Sequence, residues 1–175
     1  ARKDGLNTTG FPSGVAGVPV EVVETLTGMV QTRKELRQDS GGAGEFRGGL
    51  GQRSEFGCRT EQPWSVIPHI DRTHFAADGL QGGKSGALGE LLLDGKAGAQ
   101  PKATVTIQPA SHVQLTTPGG GGYGEPSKRD RKAVLMDVVN GYISAEAAER
   151  EYGVKVRYKG QVDSLVRLPE EYEVE

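Results

Sequence analysis

Apolar positions along the chain come in short runs separated by glycine and proline, a pattern of short strands joined by ordered loops. Residues 1–19 carry Gly5, Gly10, Pro12, Gly14, Gly17 and Pro19, a density of breakers that forbids long regular structure. Val20 to Glu24 alternates loosely and predicts a short strand. Met29 to Leu36 fits a strand or one helical turn, and its place between glycine-rich segments favours the strand. A further strand is predicted near Gln52 to Arg59. Trp64 to His69 suits an edge strand, because Pro63 and Pro68 cannot donate to a ladder. Gly79 to Gly89 reads as loop. Leu91-Leu92-Leu93 and Ala103 to Gln108 predict two strands joined by an Asp94-Gly95 turn and a small-residue loop. His112 to Thr116 predicts another strand, ended by Pro118.

After Gly124 the period changes. Val134, Leu135, Val138 and Val139 fall at helical spacing behind Asp130, a capping residue, and Gly141 stands where a helix stop belongs. Ser144 can cap a second helix carrying Ala147, Ala148 and Tyr152, with Glu146 in its first turn and Gly153 at its end. Val154, Val156 and Tyr158 alternate with Lys155, Arg157 and Lys159, as in a half-buried strand. The acidic close, residues 170–175, is expected to fray. The predicted fold is mainly β with a small C-terminal helical unit, an α+β arrangement. Residues 1–125 form a glycine-rich β region, 126–160 two short helices and a strand packed on it, and 161–175 a tail, all within one domain.

Composition sharpens this picture. Hydrophobic residues make up 35% of the 175 and glycine contributes 27, so many positions serve turns and close backbone approach rather than side-chain burial. The net charge of −2 with interspersed signs lacks the basic stripe of a nucleic-acid binder. The one basic cluster, Lys128-Arg129-Asp130-Arg131-Lys132, reads as a solvated helix start. No apolar run approaches the roughly 18 residues of a membrane span. Cys58 is the only cysteine, which excludes an internal disulfide and points to a reducing, cytoplasmic location. The chain opens at Ala1 inside what reads as loop, so it is expected to be part of something longer.

Candidate chemistry concentrates in two glycine-rich segments. Pro118-Gly119-Gly120-Gly121-Gly122-Tyr123-Gly124 invites an anion-cradle reading, but no Gly-Lys-Ser/Thr follows and no dinucleotide fingerprint is present. It is either a packed turn or the wall of a site or subunit contact. In Asp39-Ser40-Gly41-Gly42-Ala43-Gly44-Glu45-Phe46-Arg47-Gly48-Gly49-Leu50-Gly51, Asp39, Ser40 and Arg47 stand among residues too small to bury an arginine. Arg47 is thus expected to be free to meet an anion, or else to pair with Asp39 and pin the loop. His69 and Asp71 share strand parity and could face one metal, whereas His74 would point the other way; two ligands fall short of a catalytic site. His112 reads as a structural or exposed residue, and Cys58 has no histidine or cysteine partner by spacing. Nothing assembles a catalyst from spacing alone.

The run from Asp39 to Gly51 resembles the DSGGxGxxRGGxG signature of the hydantoinase B/oxoprolinase family. Pro118 to Pro126 with Arg129-Asp130 resembles its PGGGGYGxPxxRD signature, and Asp137 to Ala148 ending in Tyr152-Gly153-Val154 resembles its DVxxGxxSxExA…YGV close. Phe11-Pro12-Ser13-Gly14 and Pro19 to Glu24 also fit. The signatures occur in the family's order.

The resemblance implies the C-terminal portion of a B-type subunit that works with an ATP-using A-type subunit. Members open cyclic amides such as N-methylhydantoin or 5-oxoproline, and relatives carboxylate ketones. The A-type subunit is expected to activate the substrate with ATP and the B-type to complete the reaction. ATP and a divalent metal are implied for the full enzyme but none for this stretch, because the family's ligands lie in the part of the subunit absent here. Partners implied are the A-type subunit, the rest of the B-type subunit and a small cyclic amide, with no nucleic acid and no membrane. The candidate catalytic residues are Asp39 and Arg47. Ser40, Gly41, Gly42, Gly48, Gly49, Gly119, Gly120, Gly121, Gly122 and Tyr123 form a substrate or interface loop. A ketone carboxylase subunit and a non-catalytic assembly domain remain alternatives.

Overall fold

The strands predicted around the glycine segments form and pair. The protein is described by a computed structural model over residues 3–9, 17–97, 102–160 and 166–174. Gly10, Pro12, Gly14, the Phe11–Gly14 match, the small-residue loop at 98–101 and Glu175 lie outside these residues. Strands β1 (Met29–Leu36), β2 (Gln52–Cys58), β4 (Glu90–Leu93), β5 (Lys96–Ala97) and β7 (Val113–Thr116) make an antiparallel sheet in the order β1-β2-β7-β4-β5. Strand β3 (Trp64–Val66) pairs with β6 (Val105–Ile107) as a second sheet. The fold is mainly β with few helices.

Side-chain alternation sorts the large sheet into two faces. Leu91, Val113 and Ile107 are buried with Ile70, and Phe56, Leu93, Leu115 and Trp64 pack around them. The opposite face carries Arg33, Glu35, Arg53 and Glu55, linked by exposed or half-exposed ion pairs. Asp94 (φ 48) and Gly95 (φ +75) make the tight turn between β4 and β5. The two strands joined through this turn, Leu91–Leu93 and Ala103–Gln108, do not neighbour each other. β5 takes that edge, and β6 joins β3 instead.

The helical unit follows its caps. Asp130 accepts a hydrogen bond from the Lys132 amide at the start of α2 (Arg131–Val139), and Ser144 accepts one from the Ala147 amide at the start of α3 (Ala145–Tyr152). Gly153, φ +68, ends α3 in the left-handed conformation that glycine adopts without penalty. Val134, Ile143, Ala147, Ala148, Tyr152, Val154 and Val156 bury one face of this unit against Ala43 of the glycine segment.

Two expectations are corrected. Residues 20–26 form helix α1 (Val20–Leu26), not a strand, because Val20, Val23 and Glu24 at helical spacing are half-buried alongside β1. The acidic close is not frayed over 172–174, where β9 (Tyr172–Val174) pairs with β8 (Val156–Tyr158) and the tilted rings of Tyr158 and Tyr172 pack with their centres 4.9 Å apart.

Candidate functional site

Glycine at a position with negative φ is dispensable unless something occupies the space of its missing Cβ. In the two glycine segments that space is filled by backbone. A Cβ on Gly41 would overlap the Gly48 carbonyl, one on Gly48 the Gly120 carbonyl, one on Gly119 the Ser40 carbonyl, and one on Gly121 the Asp78 carbonyl. Chains pack here without side chains between them, as in the collagen axis, where only glycine fits. Two further stretches join the bundle: residues 77–87, which overlap the Gly79 to Gly89 stretch read from sequence as plain loop, and residues 4–8.

Hydrogen bonds within and between these segments occupy many of their amides. Gly42 donates to Gly120 O at 2.8 Å, Gly48 to Gly42 O at 2.9 Å, Gly120 to Gly49 O at 2.9 Å and Gly119 to Ala87 O at 3.0 Å. Gly122 donates to Lys84 O at 2.9 Å, and Tyr123 and Phe46 bond each other in both directions at 2.9 and 3.0 Å. The Ser40 hydroxyl, 1% exposed as a residue, donates to Arg37 O and accepts from the Gly51 amide. Segment 4–8 is held by Gly5 N to Arg47 O, Thr8 N to Leu50 O and Leu50 N to Asn7 Oδ1. Amides spent in this way do not cradle a phosphate.

Arg47 is not free. Its side chain is 3% exposed, its Nε donates to Asp137 Oδ2 at 3.1 Å, its Nη1 donates to Gly48 O at 2.7 Å, and its guanidinium lies 5.0 Å from the Tyr142 ring centre. The expectation of an exposed guanidinium fails because α2 and Tyr142, ninety residues on, supply the cover that its small neighbours lack. Asp39 does not pair with it. Asp39 is exposed, adopts φ +60, and accepts from the Ser144 amide at 2.8 Å while its own amide donates to Tyr142 O, which ties the glycine segment to the turn before α3.

The second buried arginine was missed. Arg129, read as part of a solvated basic cluster, is 2% exposed at the side chain and donates to Asp137 Oδ2 at 2.7 Å and to both oxygens of Asp4 at 2.7 and 2.9 Å. Asp4 also accepts from the Arg47 amide at 2.8 Å. Two arginines and two aspartates thus neutralise one another where the glycine bundle, segment 4–8 and α2 meet. Burial works against ionisation of Asp4, but the bonds from Arg129 and Arg47 outweigh it and lower its pKa. Burial likewise opposes the charge on Arg129, and Asp4 and Asp137 more than restore it. Burial pushes the neighbouring Tyr152 hydroxyl up to about 12. One signal was available: Asp137 stands between Val134 and Val138 on the apolar stripe of α2, where an acid needs a buried partner.

Two spaces border the bundle. A cleft of about 690 Å³, in the size range of small-ligand sites, is lined by Gly49, Gly120, Leu50, Thr117 and Lys34. A smaller one of about 120 Å³ is lined by Asp39, Gly41, Gly42, Lys84, Glu151 and Tyr152. The Lys84–Glu151 pair at 2.6 Å closes its rim, and that bond lowers the Glu151 pKa. Asp71 binds Lys102 at 2.6 Å rather than sharing a ligand set with His69, and no three His, Cys, Asp or Glu side chains gather among the described residues. No helix there is long and apolar enough to cross a membrane.

The sequence profile of the Hydantoinase B/oxoprolinase family matches residues 1–126. An uncharacterized protein of Methanocaldococcus jannaschii is 40% identical over 155 residues, 87% of this chain and 27% of that protein. The caprolactamase subunit beta of Pseudomonas jessenii is 37% identical over 152 residues, 82% of this chain and 26% of the relative. The crystal structure of the ATP-dependent caprolactamase from that organism superposes with a TM-score of 0.68 at 32% identity, over 91% of this chain and 30% of that one. A nucleotide-free acetone carboxylase structure superposes with a TM-score of 0.76 over 98% of this chain and 27% of that one; at 23% identity it shares the fold. The chain spans about a quarter of the length of the curated relatives it matches.

Proposed function

The chain belongs to the hydantoinase B/oxoprolinase family, and from that premise we propose that it is the backbone-packed scaffold of a B-type subunit in an ATP-dependent enzyme opening cyclic amides. The observation that carries this reading is the 37% identity to a caprolactamase subunit across 82% of the chain. Substrates of the N-methylhydantoin or 5-oxoproline type fit it.

An amide carbonyl is a poor electrophile, and transfer of a phosphoryl group from ATP to its oxygen makes that oxygen a leaving group. The intermediate must then be shielded from stray water. ATP and a divalent metal belong, in this reading, to the longer enzyme with its A-type subunit. What this chain supplies is shape. Its glycine segments hold a fixed wall along the cleft beside Gly49 and Gly120, and the Arg47–Asp137–Arg129–Asp4 network keeps that wall seated on the helical unit. Asp39 and Arg47 act by position and not by proton transfer.

The test is an assay of N-methylhydantoin, 5-oxoproline and caprolactam ring opening with ATP. The chain alone is expected to give no turnover, and the longer subunit combined with an A-type subunit is expected to give ATP-dependent turnover. ATP-dependent carboxylation of a ketone by that combination, with no lactam opened, would replace this reading with the carboxylase one. Turnover by the purified chain alone would show that the chemistry is housed here.

A further inference from the structure

Charge on the large sheet is sorted by face. On the outer face Arg33, Glu35, Arg53 and Glu55 offset one another in ion pairs. Lys34 alternates with Arg33 and Glu35, so it projects from the other face, in register with Ser54, Leu115 and Leu91. Among the described residues Lys34 has no ion pair or hydrogen bond, and no acid lines the cleft of about 690 Å³ that it borders. Its ammonium reaches Gly17, another lining residue, with 3.6 Å between Nζ and the place a Cβ would take. The rest of the wall leaves recognition to side chains. The amides of Leu50, Gln52, Thr117 and Gly120 are spent on protein acceptors. The Thr8 hydroxyl and the Gln52 carboxamide, both on lining residues, have no hydrogen bond among the described residues. Thr8 also holds φ +46, a strained backbone for a β-branched residue, of the kind that collects at ligand sites.

We propose that this cleft binds a small ligand carrying one oxyanion group, a carboxylate or a phosphate, and that Lys34 selects the charged ligand over a neutral one. The proposal rests on the reading above, which supplies the lactam acid used as a probe. One cation, two uncommitted polar groups and no acid give the cleft a single sign of charge, and nothing within it competes for the ammonium. A lysine ammonium is a compact point charge that takes either oxyanion without the planar match an arginine demands. Lys34 is exposed, so water solvates it until a ligand arrives, and the empty site carries no buried charge. A ligand of the same shape without the oxyanion gains none of this attraction.

The test is a titration of this chain followed by NMR at the amides of Gly49 and Gly120. The probes are 5-oxoproline, which carries a carboxylate at neutral pH, 2-pyrrolidinone, the same lactam ring without it, and inorganic phosphate. The charged lactam is expected to bind at least tenfold more tightly than the neutral one. Lys34→Gln is expected to weaken that binding at least tenfold and Lys34→Arg to retain it, while Lys96→Gln, on β5 at the opposite edge of the sheet, leaves it unchanged. Lys34→Met replaces Lys34→Gln if the latter disturbs folding. Binding of 5-oxoproline but not phosphate assigns the oxyanion to a carboxylate, and the reverse assigns it to a phosphate. Equal affinity for the two lactams, no shift with any probe, or unchanged affinity on loss of the lysine overturns the proposal. So does binding matched by chloride at equal concentration, the mark of an adventitious ion only. The titration needs no turnover. Binding here with no lactam opened in the ATP assay would sink the functional reading alone, and ring opening by the longer subunit without binding here would sink this proposal alone.

Discussion

The glycine bundle and the sheet core hold themselves together by opposite means. Beneath the sheet, Ile107, Val113 and Leu91 exclude water with side chains, and their stability scales with apolar area removed from solvent. In the bundle, Gly41, Gly48, Gly119 and Gly121 exclude water by leaving no room for a side chain, and amides bond carbonyls of neighbouring segments. The first tolerates a change of volume. The second tolerates none, since the atom met by a new methyl is backbone that cannot rotate away. The bundle also draws on charge, with two buried arginines, buried Asp137 and partly exposed Asp4 at its seam.

The largest effect is expected where that charge is unbalanced. Asp137→Ala strands Arg47 in the interior and leaves Arg129 with Asp4 alone, and breaking a buried pair in this way costs about 3–5 kcal/mol. Denaturant unfolding should show it, and a loss under about 1 kcal/mol would mean that the arginines find water. Next comes Gly48→Ala, which drives a methyl into the Gly120 carbonyl and should cost about 3 kcal/mol, near the top of the overpacking range. Gly95→Ala, where φ is +75 but nothing lies within 4 Å of the added Cβ, should cost only about 1 kcal/mol. Comparable melting temperatures for the two alanine variants would erase the difference between close approach and turn conformation. Ile107→Val in the sheet core should likewise cost about 1 kcal/mol by the same unfolding measurement.

The smallest signal is expected from Asp4, which is partly exposed. Its lowered pKa means that its contribution is complete above the unfolded carboxylate value, about 3.9, and is lost as pH falls through the lower folded value. Asp4→Asn should flatten the stability profile below pH 4 and leave its slope near pH 7 unchanged. An identical acid limb in the variant would show that other carboxylates govern it.

Local rules of capping, turn chemistry and strand period made much of the fold legible. Asp130, Ser144 and Gly153 announced α2 and α3, Asp94-Gly95 announced a tight turn, and the apolar runs placed β1, β2, β4 and β7. Glycine density marked segments 39–51 and 118–124 as special before any geometry was known. Which surface each glycine faces depends on residues up to eighty positions away, as with Ser40 and Gly119, and no local period encodes that. The same holds for charge. Arg47 and Arg129 look like surface residues beside small or polar neighbours, and only the return of α2 and of segment 4–8 makes them interior. Sequence by itself determined most of the elements, because caps, turns and alternation act within a few residues, but not α1 or β9. Tertiary structure decided which amides are spent, which charges are buried and which strand edges meet, because each of these is set by segments that the chain brings together from far apart.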